Sequence, residues 1–126
     1  MTNLLDVRTS RIQGAGKGLF AVADLPAGTR LGEYTGRRTK SAPHDGSYTW
    51  DVNIYHPNGT FSHLEYVDAL RTPTCILRYA NGARTPAQHR LINAEMYQYG
   101  ERVYYKTTKH VLRGTEIIVD YGDNYW

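Results

Sequence analysis

The sequence predicts a mostly β fold, and three observations carry that prediction. Gly and Pro recur at short intervals, the pieces between them are brief, and those pieces are rich in Val, Ile, Thr, Tyr, Phe and Trp, residues that suit a pleated, half-buried surface. In chain order the expected strands are Leu4–Thr9, Gly18–Ala21, Arg30–Tyr34, Thr49–Tyr55, Thr60–Val67, Leu91–Tyr97, Arg102–Thr107 and Glu116–Asp120. The second follows a glycine cluster, and the last lies between Gly114 and Gly122. Two joints read as hairpins. Pro57-Asn58-Gly59 carries the Asn-Gly turn signal between the fourth and fifth strands, and Gly100-Glu101 separates two alternating runs. One helix of about two turns is expected from Thr72-Pro73, with Thr as N-cap and Pro at the first helical position, to Asn81-Gly82, a good stop. Arg37–Gly46 and Ala83–Gln88 lack periodicity and read as loops.

Size and composition bound the function. A chain of 126 residues matches one core, which excludes a two-domain enzyme, and 40% hydrophobic with 21% charged residues excludes wholesale disorder. No apolar run reaches the roughly 18–20 residues of a membrane span, and the first residues lack a secretory h-region. The expectation is a soluble, intracellular protein with no membrane partner. Cys75 stands alone, so neither an internal disulfide nor a cysteine-rich zinc site supports the fold. The histidines at 44, 56, 63, 89 and 110 fall at no ligand spacing, so no metal is expected. Asn58-Gly59-Thr60 fits a glycosylation pattern but reads as a turn. A net charge of +3 permits an acidic partner without forming a dense nucleic-acid stripe. Eleven tyrosines against two phenylalanines suit a wet, aromatic-lined cavity as well as sheet surfaces.

Three segments invite a chemical reading. Gly14-Ala15-Gly16-Lys17-Gly18 is not a phosphate loop, because Gly18 follows the lysine where Ser or Thr is required, and it does not open a helix as a dinucleotide fingerprint must. It reads either as an ordinary turn or as flexible backbone that lets main-chain groups approach a ligand. Gly114 through Gly122 is a strand with Asp120-Tyr121 at its tip, and Arg78-Tyr79-Ala80-Asn81-Gly82 lies between the two.

Taken in this order, the segments resemble the SET domain of protein lysine methyltransferases over nearly the whole chain. Gly16-Lys17-Gly18-Leu19-Phe20-Ala21 is similar to that family's first motif, and Glu33-Tyr34-Thr35-Gly36 to its Glu-Tyr-x-Gly. Ser47-Tyr48-Thr49-Trp50-Asp51 resembles its Ser-Tyr-x-Phe-Asp, and Val67-Asp68-Ala69 the aspartate before its third motif. Arg78-Tyr79-Ala80-Asn81 is similar to its Arg-Phe-x-Asn, and Glu116–Tyr121 to its Glu-Leu-x-x-Asp-Tyr.

The resemblance implies a SET-domain fold of several small curved sheets with one or two short helices and a knot-like C-terminal segment. Residues 1–126 would be one such domain with no zinc-binding flanks. It implies S-adenosyl-L-methionine as cofactor, held by Lys17, Gly18, Leu19, Tyr48, Arg78, Asn81 and Tyr121, with Tyr125 and Trp126 as its cover. Tyr121 matches the catalytic tyrosine, and Tyr34, Trp50, Val119 and Tyr121 would wall the substrate-lysine channel. Such a channel favours the neutral amine, because burial and a neighbouring sulfonium both disfavour ammonium.

The implied partner is a basic protein or peptide such as a histone tail, which Glu116, Asp120 and Asp123 could attract, with a nuclear location if a histone is the target and a cytoplasmic one otherwise. Small viral SET proteins end in a similar Tyr-Gly-Asp-x-Tyr-Trp run and suggest a possible homodimer. Val119 carries neither ring nor hydroxyl near the acceptor amine, so di- or trimethylation is expected.

The chain departs from the common pattern after Asn81, where Gly82-Ala83-Arg84 replaces His-Ser-Cys and is closer to the Asn-Cys-Ala-Arg of the PR subclass. That departure keeps a second reading open, a catalytically silent PR-like interaction module. A third, a small basic domain stacking single-stranded nucleic acid on its tyrosines, requires tyrosines alternating with Lys and Arg on one sheet face. The aromatics cluster at the motifs instead, so no direct nucleic-acid binding is expected.

Overall fold

The computed structural model describes residues 4–121. Ten strands form three small sheets, in the mostly β class that the sequence predicts. The first sheet is an antiparallel hairpin of β1 (Leu5–Thr9) and β2 (Lys17–Ala21), joined by a loop whose Gly14 and Gly16 take φ of +80° and +72°. A left-handed backbone is what only glycine adopts cheaply, so the turn explains both residues without a ligand. Four of the five β2 residues are buried, since the hairpin lies with β2 against the body of the protein.

The second sheet has β4 (Arg37–Thr39), β6 (Phe61–Asp68) and β5 (Thr49–Tyr55) in that order, all antiparallel. Val52 and Ile54 alternate inward along β5 while Asp51, Asn53 and Tyr55 face outward, the period of two that identifies the strand in sequence. The Asn-Gly hairpin forms as expected, with Asn58 Oδ1 accepting from the Thr60 backbone N–H at 3.0 Å.

The third sheet runs β3 (Arg30–Tyr34), β9 (Arg102–Thr107), β8 (Ala94–Tyr99), β10 (Ile118–Asp120) and β7 (Asn81–Gly82). Strands β7 and β8 are both parallel to β10, which sits between them, Val119 opposite Gly82 on one side and Ala94 on the other. The chain therefore makes a crossover from β7 to β8, leaves a one-strand gap, and fills it with β10, the knot-like segment that the resemblance implies. Asn93 prepares the gap. Its side-chain Oδ1 accepts from the Ile118 N–H and its Nδ2 donates to the Glu116 carbonyl, both at 2.9 Å, so one buried amide extends the ladder past the end of β8.

The expected helix at 72–82 does not form. Residues 72–80 make successive i→i+3 turns, with only Ile76–Tyr79 as a 3₁₀ segment, and Asn81-Gly82 leave to pair with β10 rather than cap a helix. A span this short has little cooperativity of its own, so tertiary pairing decides its shape. The same Thr-Pro signal acts thirteen residues later, in the stretch expected to be loop. Thr85 caps α1 (Pro86–His89), its Oγ1 accepting from Gln88 N–H at 3.1 Å, with Pro86 in the first turn. Three further boundaries move. The start of the expected Arg37–Gly46 loop is β4, the strand expected at Leu91 begins at Ala94 and runs to Tyr99, and Glu116 joins the second strand only through an isolated bridge to Phe20.

One core serves all three sheets, with Leu19, Ala21, Val52, Ala94, Tyr105, Ile117 and Val119 entirely buried. Gly36 lies at a tight crossing, where a Cβ would come within 2.5 Å of the Asp68 carbonyl carbon and 2.9 Å of the Ala69 nitrogen. Backbone cannot step aside as a side chain can. Gly36→Ala is expected to lower unfolding free energy in urea titrations by about 1–3 kcal/mol, whereas Gly46→Ala, with nothing within 4 Å, should change it by less than about 0.5 kcal/mol.

Candidate active site

A cavity of about 620 Å³ lies where the glycine loop, the 3₁₀ segment, β7 and the start of the β7–β8 crossover face one another. That volume falls within the range of small-molecule sites. Among the described residues, the cationic side chains in its wall are Lys17, Arg78 and Arg84, and none of the lining residues is a carboxylate. Arg78 is held by stacking: its guanidinium sits 4.3 Å from the Tyr48 ring centroid and 5.1 Å from that of Tyr79, while one Nη donates to the Leu70 carbonyl at 3.2 Å. Its Nε is buried with no hydrogen-bond partner among the described residues.

Asn81 begins β7 at the cavity edge. Its Nδ2 donates to the Lys17 carbonyl at 3.0 Å and to Glu116 Oε2 at 3.1 Å, so both amide hydrogens bridge protein groups. Glu116 is itself 7% exposed and accepts from Ser10 Oγ and the Arg11 N–H, which removes it from the acidic surface expected to attract a basic tail. Burial among donors, not solvent, is its environment. Asp120 remains exposed, and Asp123 lies outside the described residues.

Tyr121 stands at the end of β10, on the wall of the cavity. Its hydroxyl donates to the Ala80 carbonyl at 2.9 Å, and its ring lies 5.1 Å from that of Trp50. Behind Trp50 the rings continue. Trp50 Nε1 donates to the Tyr105 hydroxyl at 2.7 Å with the rings edge to face, Tyr105 packs against Tyr34 at 5.6 Å, and the Tyr34 hydroxyl donates to the Tyr48 carbonyl at 2.7 Å. Each ring is fixed by a hydrogen bond as well as by packing.

The expected site residues thus fall into groups. Lys17, Tyr48, Arg78, Asn81 and Tyr121 meet at the cavity; Tyr34, Trp50 and Tyr121 meet in the aromatic cluster. Gly18 and Leu19 are not among the lining residues. Leu19 is fully buried, and a Cβ at Gly18 would collide with the Glu116 carboxylate, so the glycine makes room for that side chain. Val119 is also fully buried, between Gly82 and Ala94, and adds no surface to the cavity. Tyr125 and Trp126 lie outside the described residues. Tyr105 is the member of the cluster that sequence reasoning missed, although the signal exists: Val103, Tyr105 and Thr107 alternate inward along β9.

Burial, followed by the neighbouring Tyr121, holds the Tyr34 phenol far above its ordinary range, and burial does the same to Tyr105. A pKa raised on folding means that the unfolded chain ionises first, so this stabilisation is complete below about pH 10 and is lost as pH rises beyond it. An alkaline titration followed by phenolate absorbance should show Tyr34 and Tyr105 silent until the chain unfolds, and Tyr34→Phe should move that unfolding to higher pH.

Comparison with known proteins places the chain in a family and a fold. Residues 5–126 match the family model for the PR domain of PR domain zinc finger protein 2. The chain is 32% identical over 128 residues to human histone-lysine N-methyltransferase PRDM7, covering 96% of this chain and 24% of that protein. It is 26% identical over 124 residues to histone-lysine N-methyltransferase set-17 of Caenorhabditis elegans, covering 97% and 42%. The chain therefore spans well under half the length of these relatives. Among solved structures, the methyltransferase domain of human PR domain-containing protein 2 superposes with a TM-score of 0.75 at 24% identity, covering 100% of this chain and 82% of that one. ATXR5 in complex with histone H3.1 mono-methylated on R26 gives 0.73 at 19%, covering 95% and 57%. At these identities the structures establish the fold.

Proposed function

The chain belongs to the PR-domain family, a branch of the SET fold, and from that membership we propose that it transfers methyl groups from S-adenosylmethionine to a lysine amine of a basic protein. The observation that carries the reading is the meeting of a cation-lined cavity with an aromatic cluster at one residue, Tyr121. The cofactor suits the cavity on chemical grounds. Arg78, Lys17 and Arg84 place positive charge on one wall, where an amino-acid carboxylate could be received. When bound, the cofactor would supply a sulfonium methyl to an attacking neutral amine, the N–C bond forming as S–C breaks and the thioether leaves.

The chain's own residues do the rest by placement, since an in-line displacement asks mainly for alignment. Tyr48 and Tyr79 hold the Arg78 guanidinium flat. Trp50, pinned to Tyr105, gives a wall that excludes water and disfavours ammonium, leaving a lysine amine neutral and nucleophilic. The Ala80 carbonyl accepts the hydrogen bond of the Tyr121 hydroxyl, which fixes the phenolic oxygen where the cavity meets the aromatic cluster.

One observation favours a second reading, a PR-like interaction module without turnover. Both Asn81 amide hydrogens are already engaged by Lys17 and Glu116, and Gly82 follows where a side chain could have touched the cofactor. Incubation with labelled S-adenosylmethionine and basic proteins, followed by mass spectrometry, separates the two. The methyltransferase reading expects a modified lysine, and S-adenosylhomocysteine binding without any modified lysine selects the silent module. A histone tail as the substrate, a nuclear location and a homodimer are proposed on the same footing.

Tyr121→Phe should lose about 100-fold or more in turnover with folding and cofactor affinity nearly unchanged, because only the hydroxyl is removed. Turnover near the wild-type level would return Tyr121 to a packing role. Di- or trimethyl-lysine, the product expected from the sequence resemblance, is proposed on that resemblance alone, because Val119 is buried away from the cavity; monomethyl-lysine alone at exhaustive conversion of a lysine peptide would refute it.

A further inference from the structure

Glu116 belongs to no step described so far, yet no other carboxylate described is so thoroughly enclosed. It is the one acidic residue in the buried polar set, and every partner it has is a donor. Oε1 accepts from the Arg11 N–H at 2.9 Å, and Oε2 accepts from Ser10 Oγ at 2.7 Å and Asn81 Nδ2 at 3.1 Å. These donors come from two elements that border the cavity. Ser10 and Arg11 open the loop that carries Ile12, Gln13, Gly14 and Ala15 into the wall, and Asn81 begins β7.

The linkage continues inward. Ser10 Oγ, while donating to Glu116, accepts from the Ile12 N–H at 3.0 Å, and the Ser10 N–H donates to the Gly16 carbonyl at 2.8 Å. From β7, Asn81 Nδ2 also holds the Lys17 carbonyl at 3.0 Å. A loop with two left-handed glycines has much freedom to lose, and these bonds are what fix it. Gly18 is matched to the arrangement, since any side chain there would displace the carboxylate.

We infer that Glu116 is a positioning residue for the cofactor: its carboxylate clamps the 10–17 loop to β7 and so sets the shape of the binding cavity without touching the ligand. The inference deepens the methyltransferase reading and rests on the same cavity. An amide cannot replace the carboxylate, because three donors converge on two acceptor oxygens and an NH2 in either orientation meets a donor.

The test is calorimetric titration of S-adenosylhomocysteine into the full chain and its variants, with methyl transfer measured alongside. Glu116→Gln should weaken binding by about tenfold or more and raise KM for S-adenosylmethionine in step, with kcat within about twofold. Ser10→Ala, which removes one strut from a half-buried loop end, should shift both in the same direction by about twofold to fivefold and carries the test if Glu116→Gln fails to fold. Unchanged affinity in Ser10→Ala together with unchanged affinity in any folded Glu116→Gln overturns the inference while leaving the cofactor site intact. A wild-type chain that does not bind S-adenosylhomocysteine overturns the reading of the cavity itself.

Discussion

The architecture depends on the seating of β10 between β7 and β8. A parallel strand flanked on both sides has its backbone groups paired inside the protein, and Val119 at its centre is sealed from solvent. From that one insertion three placements follow. Glu116, two residues before the strand, is pressed against β2; Ile117 is tied to Leu19 by a 2.7 Å hydrogen bond; and Tyr121, just beyond the strand, comes to rest against Trp50. Without β10 the cavity would lack both the clamp behind it and the hydroxyl at its end.

Around that strand the side chains divide into two chemical environments. On the cavity side, guanidinium, ammonium and backbone groups present a polar surface. On the other side of Tyr121, Trp50, Tyr105 and Tyr34 form an apolar wall whose few polar atoms are hydrogen-bonded to one another or to the backbone. Methyl transfer to an amine needs such a boundary: charge recognition to hold one reactant, and poor solvation to strip a proton from the other.

The legible part of the sequence was the part governed by local rules. Strand alternation along β5 and β9, the Asn-Gly hairpin and the Gly-rich turn each depend on residues close together, and each forms where it is read. The motif positions Lys17, Tyr48, Arg78, Asn81 and Tyr121 likewise meet at one cavity. What escaped was decided by distant partners. Thr72-Pro73 and Thr85-Pro86 look alike as helix starts, but only after the first does β10 draw Asn81-Gly82 into a sheet. Asn93 looks like any polar residue in a strand until the Ile118 backbone is placed beside it. Glu116 reads as a surface acid because nothing within the sequence tells that Ser10, Arg11 and Asn81 will surround it. Val119 reads as a channel wall because its neighbours in the sheet, Gly82 and Ala94, are remote in sequence.

The insertion of β10 also has a consequence for the order in which the molecule assembles. Its partners are distributed from the β1–β2 hairpin to β8, so Leu19, Ala21 and Leu25 find their backbone partners at Ile117, Thr115 and Val111, almost a full chain length away. Loops that long close slowly, and a fold dominated by such pairings gains little from its early contacts. On the ribosome the hairpins β5–β6 and β8–β9 can form as they emerge, but the gap between β7 and β8 stays open, with its backbone groups and core residues facing water, until β10 has been made. The cavity is therefore the last feature to exist. An unfinished chain would present an open parallel edge rather than a weakened cavity, and its hazard is association with another chain through that edge.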